Sequence, residues 1–314
     1  MLRVETEALH DWFAASARAL PWREPGTTAW AVLMSEVMLQ QTPVARVIPV
    51  WTEWVLRWPS PSSMAASGQA EVLRSWGRLG YPRRALRLHA CATAITAEHD
   101  GVVPSDVDTL LALPGIGAYT ARAVACFAYG QRVPVVDTNV RRVVARAVHG
   151  EADAGAASTS RDHADVEQLL PLAVPRAAVI SAALMELGAT VCTARGPRCA
   201  ACPLRQQCQW HARGKPAGTG PRRPAQRYAG TDRQVRGLLL GLLRDSETPL
   251  ARAELDRVWT VDVAQRDRAL DSLLTDGLVE QTPTGLFALA GEGQPASDDS
   301  AADSSPRKAS TAAR

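Results

Sequence analysis

Apolar residues recur at helical spacing through most of the first 210 positions. Leu9, Trp12 and Phe13 share one stripe of a first helix, which ends near the Leu20-Pro21 step. Trp30, Leu33, Met34 and Val37 mark a second. The same period predicts helices at 44–57, 70–76, 83–98, 105–112, 140–148, 162–171 and 175–189, the last with Ile180, Ala183, Leu184 and Leu187 on its core stripe. Few segments alternate with period two before residue 230, and no 20–50-residue repeat is present, so the fold class is mainly α. Beyond 230 the pattern changes. Val235, Leu238, Leu239 and Leu242 form a helix, 252–258 a short second and 262–275 a third. Two short runs around Pro283-Thr284-Gly285 then read as a hairpin, which is the order of elements in a winged helix.

These patterns predict a helical domain over 1–210, a linker over 211–230, a small winged-helix-like domain over 231–290 and a disordered tail over 291–314. The linker is rich in Pro and Gly and carries Arg213, Lys215, Arg222, Arg223 and Arg227 without an acid. A solvated tether and a phosphate-tracking strap both fit it. At 314 residues the chain can bury a sizeable core, and its net charge of +3 is only a mild pointer to nucleic acid. No leader or membrane-spanning run is expected, which predicts a cytoplasmic protein.

One stretch concentrates candidate chemistry. In Leu113-Pro114-Gly115-Ile116-Gly117, a tight turn presents backbone N–H groups at a helix N-terminus, a ready site for phosphate. The helix that follows, 119–128, carries Arg122 as its only charge and should be buried. Val133-Pro134-Val135-Val136 then delivers Asp137 to the mouth of the next helix, where it is either a catalytic carboxylate or a simple N-cap. Glu36 is a lone acid in the run 31–39. Facing inward it would be desolvated, raised in pKa and able to donate a proton near neutrality; facing outward it would be an ordinary surface acid.

Cys91 and Cys126 sit singly in helical patterns, as small buried apolar residues do. Cys192, Cys199, Cys202 and Cys208 are different, spaced C-x6-C-x2-C-x5-C. Zinc sites usually show two short knuckles and this loop has one, so four thiolates on a cubane iron–sulfur cluster suit it better, with structural zinc as the alternative.

Leu-Pro-Gly-Ile-Gly, Val-Val-Asp-Thr-Asn, the four-cysteine loop and Ser35-Glu36-Val37-Met38-Leu39-Gln40-Gln41-Thr42 together resemble the adenine DNA glycosylases (MutY-type) of the helix-hairpin-helix superfamily. The resemblance covers roughly residues 5–210. It implies a two-lobed helical glycosylase domain with a [4Fe-4S] cluster on the four cysteines, followed by the winged-helix-like domain. It also implies a monomer acting on double-stranded DNA, hydrolysing the N-glycosidic bond of adenine paired with 8-oxoguanine or guanine. Glu36 would protonate the base, and Asp137 would stabilise the sugar cation or attack it. Asn139 and Tyr119 would support the site. Tyr119 stands where strand-cleaving relatives carry a Schiff-base lysine, so the resemblance implies a monofunctional hydrolase. Gln41 and Tyr81 match the residues that enter the duplex around the extruded base, and Gly115 and Gly117 would grip phosphate. Arg18, Trp22, Arg23 and Leu39 would line the adenine pocket.

The chain departs from that pattern at Pro82, where many members have a second tyrosine, and at Ala182, where Gln or Glu often meets the base. Its C-terminal region also lacks the features of a Nudix-like reader of 8-oxoguanine. Two other readings remain at this stage: an endonuclease III-like glycosylase/lyase for oxidised pyrimidines, and a non-catalytic DNA-binding iron–sulfur protein. Tyr119 and the Gln40-Gln41-Thr42 string oppose the first. Both carboxylates oppose the second.

Overall fold

The computed structural model describes residues 5–218 and 228–293. The chain divides into two compact units, Met1–Tyr228 and Ala229–Arg314. The linker positions 219–227 and the tail from 294 onward lie outside the described residues.

The first unit holds twelve α-helices among its described residues and no strand. In order they are α1 (Glu7–Ser16), α2 (Ala29–Leu39), α3 (Val44–Arg57), α4 (Pro61–Ala65), α5 (Gln69–Trp76), α6 (Arg83–Glu98), α7 (Val107–Ala112), α8 (Ala118–Phe127), α9 (Thr138–Val144), α10 (Thr159–Leu169), α11 (Val174–Thr190) and α12 (Gln209–Ala212). Periodicity missed two short helices, α4 and α12; for α4 a local signal was present. In α4, Ser60 and Ser63 form a capping box around Pro61 at the first helical position. The predicted helix at 140–148 is α9 continued by a π-helical turn, Ala145–His149.

One lobe is built on α2 to α8. Trp54 meets Trp58 and Trp76 edge to face, with ring centroids 4.7 and 5.5 Å away, and all three indoles are fully buried. The other lobe returns to α1 and packs it with α9, α10 and α11 around Leu9, Val140, Val143, Val166, Ile180 and Leu187. Helix α2 is central. Thr28 caps it by accepting from the Ala31 N–H, and the nine residues from Trp30 to Met38 are all buried. A helix buried all round leaves its one acid, Glu36, largely desolvated.

The second unit contains α13 (Asp232–Asp245), α14 (Arg252–Asp256), α15 (Val263–Thr275) and an antiparallel pair, β1 (Val279–Gln281) with β2 (Phe287–Leu289). Leu250 bridges to Phe287 and extends the pair. Val235, Leu239, Leu255, Leu270 and Leu273 are buried. The sequence pattern puts Arg266 and Arg268 on an exposed, charged side of the third helix; for Arg266 this is corrected. Arg266 is 7 % exposed, donating to the main-chain oxygens of Asp256 and Trp259 and pairing with Asp256 at 3.0 Å. Period 3.6 leaves position 266 at the edge of the apolar face, where an arginine stem packs inward and its head takes helix-end carbonyls. Among the described residues, no helix of either unit is long and apolar enough to cross a membrane.

Candidate active site

Glu36 reaches the interior from the middle of α2 and is 5 % exposed. Burial pushes its carboxyl up to about 7; a hydrogen bond from Tyr119 opposes the rise, Asp137 adds to it, and Arg23 opposes it. Tyr119 stands one residue into α8, so the Pro-Gly turn aims it at Glu36. Its own hydroxyl is raised well above the ordinary phenol value by burial and by the two nearby carboxyls, and it also lies 3.9 Å from the Met185 sulfur.

Asp137 caps α9. Its Oδ1 accepts from the Val140 N–H at 2.7 Å, and its Oδ2 accepts from the Asn139 side-chain amide at 2.7 Å. The capping role and a site role are therefore compatible: the cap fixes the carboxylate's orientation. Asn139 is oriented in turn, because its Oδ1 accepts from Arg142 at 2.7 Å. Arg142 also donates to the main-chain oxygens of Gly188 and Cys192. Helix α11 comes so close here that a Cβ at Gly188 would lie 2.7 Å from the Asn139 Cβ and 2.8 Å from its carbonyl oxygen. Only glycine fits.

Arg18 and Arg23 converge on Glu186 of α11, a fully buried acid absent from the sequence reading. Arg18 donates from Nε and Nη2 at 2.6 and 2.9 Å, and Arg23 from Nη2 at 2.9 Å. Burial would raise Glu186, but the bonds from the two arginines overcome it and hold the carboxyl below its ordinary value. The signal for it was the one that singled out Glu36, a lone acid in an otherwise apolar helix. Trp22 is buried edge-on to Trp51, with centroids 5.7 Å apart, and Leu39 is half-buried three residues beyond Glu36.

Of the paired glycines, Gly115 has a φ of +76° and its backbone crosses Arg87, where a Cβ would meet the Arg87 Cβ at 2.7 Å. Gly117 is the N-cap of α8, with no side-chain cap on the helix and nothing within 4 Å of where a Cβ would stand. Gln41 and Tyr81 are both exposed and both non-glycine residues at positive φ, +56° and +47°. They lie in neighbouring loops, joined where the Thr42 hydroxyl donates to the Leu79 carbonyl.

Cys192, Cys199, Cys202 and Cys208 line one small cavity together with Arg146, Trp210 and Val191, and none is in a disulfide. Burial pushes the Cys202 thiol up to about 11 and raises Cys208 as well. Arg146 donates to the Cys192 Sγ at 3.4 Å and sits 4.7 Å over the Trp210 ring. A buried cation facing a thiol set fits sulfurs that carry charge as metal ligands.

Residues 34–166 match the model of the HhH-GPD superfamily base excision DNA repair proteins. The chain is 67 % identical over 286 residues to the adenine DNA glycosylase of Mycolicibacterium smegmatis, covering 91 % of this chain and 96 % of that one. It is 64 % identical over 282 residues to the adenine DNA glycosylase of Mycobacterium tuberculosis, covering 90 % and 92 %. The human adenine DNA glycosylase is 40 % identical over 210 residues, which are 64 % of this chain and 38 % of that one. In fold, a thermostable thymine-DNA glycosylase superposes with a TM-score of 0.60 at 23 % identity, over 66 % of this chain and 94 % of its own.

Proposed function

The chain belongs to the adenine DNA glycosylases, within the HhH-GPD superfamily of base excision repair proteins, and from that premise we propose how its residues excise the base. The protein is an N-glycosyl hydrolase that removes adenine, and the mispairs it acts on are those with 8-oxoguanine or guanine. The single observation that carries the reading is the buried Glu36 carboxyl, raised to about 7 beside Tyr119 and Asp137. At neutral pH it retains a substantial protonated fraction and can donate to N7 of an extruded adenine, making the base a competent leaving group. The glycosidic electron pair then leaves with the base, and positive charge develops on the sugar. Asp137, held by the Val140 N–H and by Asn139, is oriented to stabilise that cation or attack it transiently. Water completes hydrolysis at the sugar carbon. Tyr119 offers no amine for an imine, which supports a monofunctional enzyme over a lyase. Arg18 and Arg23, anchored by Glu186, form a wall of the adenine pocket with Trp22 and Leu39.

The four cysteines fit a [4Fe-4S] cluster. They line one cavity, none is in a disulfide, and Arg146 donates to the Cys192 Sγ, while their single short knuckle is not the paired-knuckle pattern usual for zinc. Bound there, the cluster supplies a rigid, charged scaffold for the loop and no step of the hydrolysis. The reading also makes the protein a cytoplasmic monomer that meets duplex DNA through Gln41, Tyr81, Gly115 and Gly117. Purified protein is incubated with duplexes carrying adenine opposite 8-oxoguanine, guanine or thymine, and products are resolved with and without alkali. Alkali-dependent cleavage at the first two is expected. Alkali-independent cleavage through a trapped imine, or excision of an oxidised pyrimidine instead, overturns the reading. Metal analysis of an anaerobic preparation should find about four irons per chain, and stoichiometric zinc would overturn the cluster.

A further inference from the structure

Arg84, at the second position of α6, is 6 % exposed, and its hydrogen-bond partners among the described residues are all neutral oxygens. Its Nη1 donates to the main-chain oxygens of Val37 and Met38, both at 2.8 Å. These are last-turn carbonyls of α2, where the helix has no acceptor-satisfying partner of its own and its dipole favours a cation. Its Nη2 donates to the Thr42 hydroxyl and to the Gly80 carbonyl, both at 2.9 Å. The guanidinium also lies 4.9 Å from the Trp76 ring centroid and 5.7 Å from that of Tyr81. Burial lowers it to about 10, with Tyr81 opposing the shift and Arg46 adding to it.

The four acceptors bracket two chain reversals. Val37, Met38 and Thr42 flank Gln41 on the α2 side, and Gly80 precedes Tyr81 on the α6 side. Both residues between them sit at positive φ, a conformation L-residues with side chains rarely adopt without outside support. One planar fork thus holds both reversals from within. We propose that Arg84 is a positioning residue that sets the separation and aim of Gln41 and Tyr81, so that the two enter the duplex together as the base is extruded. This rests on the reading of Gln41 and Tyr81 as the residues that enter DNA.

The fork geometry matters as much as the charge, so Arg84→Lys is the informative variant. Single-turnover excision on an adenine:8-oxoguanine duplex is measured in the wild-type, Gln41→Ala and Tyr81→Ala backgrounds, with iron content and Tm followed in each. Arg84→Lys is expected to slow excision about tenfold in the wild-type background and less than twofold once either Gln41 or Tyr81 is truncated. Thr42→Val removes one acceptor of the fork, together with the Thr42–Leu79 link between the same two loops, and keeps the guanidinium itself in place. It is expected to slow excision about threefold with the same non-additivity, and it serves if Arg84→Lys does not fold. Equal losses in all three backgrounds, or no loss in a folded variant, overturn the proposal. If wild-type protein excises no adenine, the functional reading itself fails. If it excises normally and the effects are additive, only the role of Arg84 fails.

Discussion

Arg142 donates from Nε to the main-chain oxygen of Cys192 across 2.8 Å. Its Nη2 meets the Asn139 side chain at 2.7 Å. One side chain thus spans from the cysteine loop to the amide that orients Asp137, with every link short and partly buried. The loop's folded state is thereby tied to the carboxylate's aim. Arg142→Lys keeps the charge but cannot make both bonds. It should slow single-turnover excision about 10–100-fold while mispair affinity and iron content stay within about twofold of wild type. Loss of affinity with an unchanged rate would show that Arg142 serves binding instead.

Asp137→Asn preserves an acceptor for the Val140 N–H and removes the negative charge. Excision should fall at least about 100-fold. Binding to an uncleaved mispair, read by fluorescence anisotropy, should be nearly unchanged.

On the proposed mechanism, Glu36 sets the pH dependence. Its raised value means the proton needed for donation is lost as pH climbs through about 7. Single-turnover rate should therefore fall about tenfold per pH unit on the alkaline side. The stability effect has the same sign. A carboxyl whose folded value lies above its unfolded one is tolerated fully below pH 4.5, and that advantage is lost as pH rises through 7. Glu36→Gln should accordingly be more stable than wild type at pH 8, by up to about 3 kcal/mol, with the gap closing near pH 4.5. A gap that does not change with pH would place Glu36 outside the desolvated site.

Substituting Tyr119 by Lys places an amine one residue into α8, facing Glu36 and Asp137. Borohydride trapping should then capture a protein–DNA adduct that wild type does not form.

Residues 229–293 carry seven arginines against eleven carboxylates, a net of −4. With Arg266 buried against Asp256, α15 presents little positive charge. Deleting 230–314 should leave the salt dependence of mispair binding unchanged, because the removed segment carries net negative charge and little to attract phosphate. Arg266→Met should lower the stability of this unit by about 1–2 kcal/mol without altering DNA affinity, as followed by thermal denaturation and anisotropy.

Much was determined by local order in the sequence. The 3.6-residue period located the long helices, because each buries one face and the period records it whatever lies opposite. The cysteine spacing, the Pro-Gly turn and the strings around Glu36 and Asp137 are likewise contiguous, so their chemistry is legible without a fold. What only the tertiary structure decided is the partner of each buried charge. Glu186 meets Arg18 across 168 positions, and Arg84 reaches Val37 across 47. Arg142 bridges 50 positions to Cys192, and Arg266 turns inward where the pattern had it facing out. Periodicity reports how deeply a position is buried. A charge at that depth is tolerable only beside a group brought there by another element, and no stretch of sequence names that group.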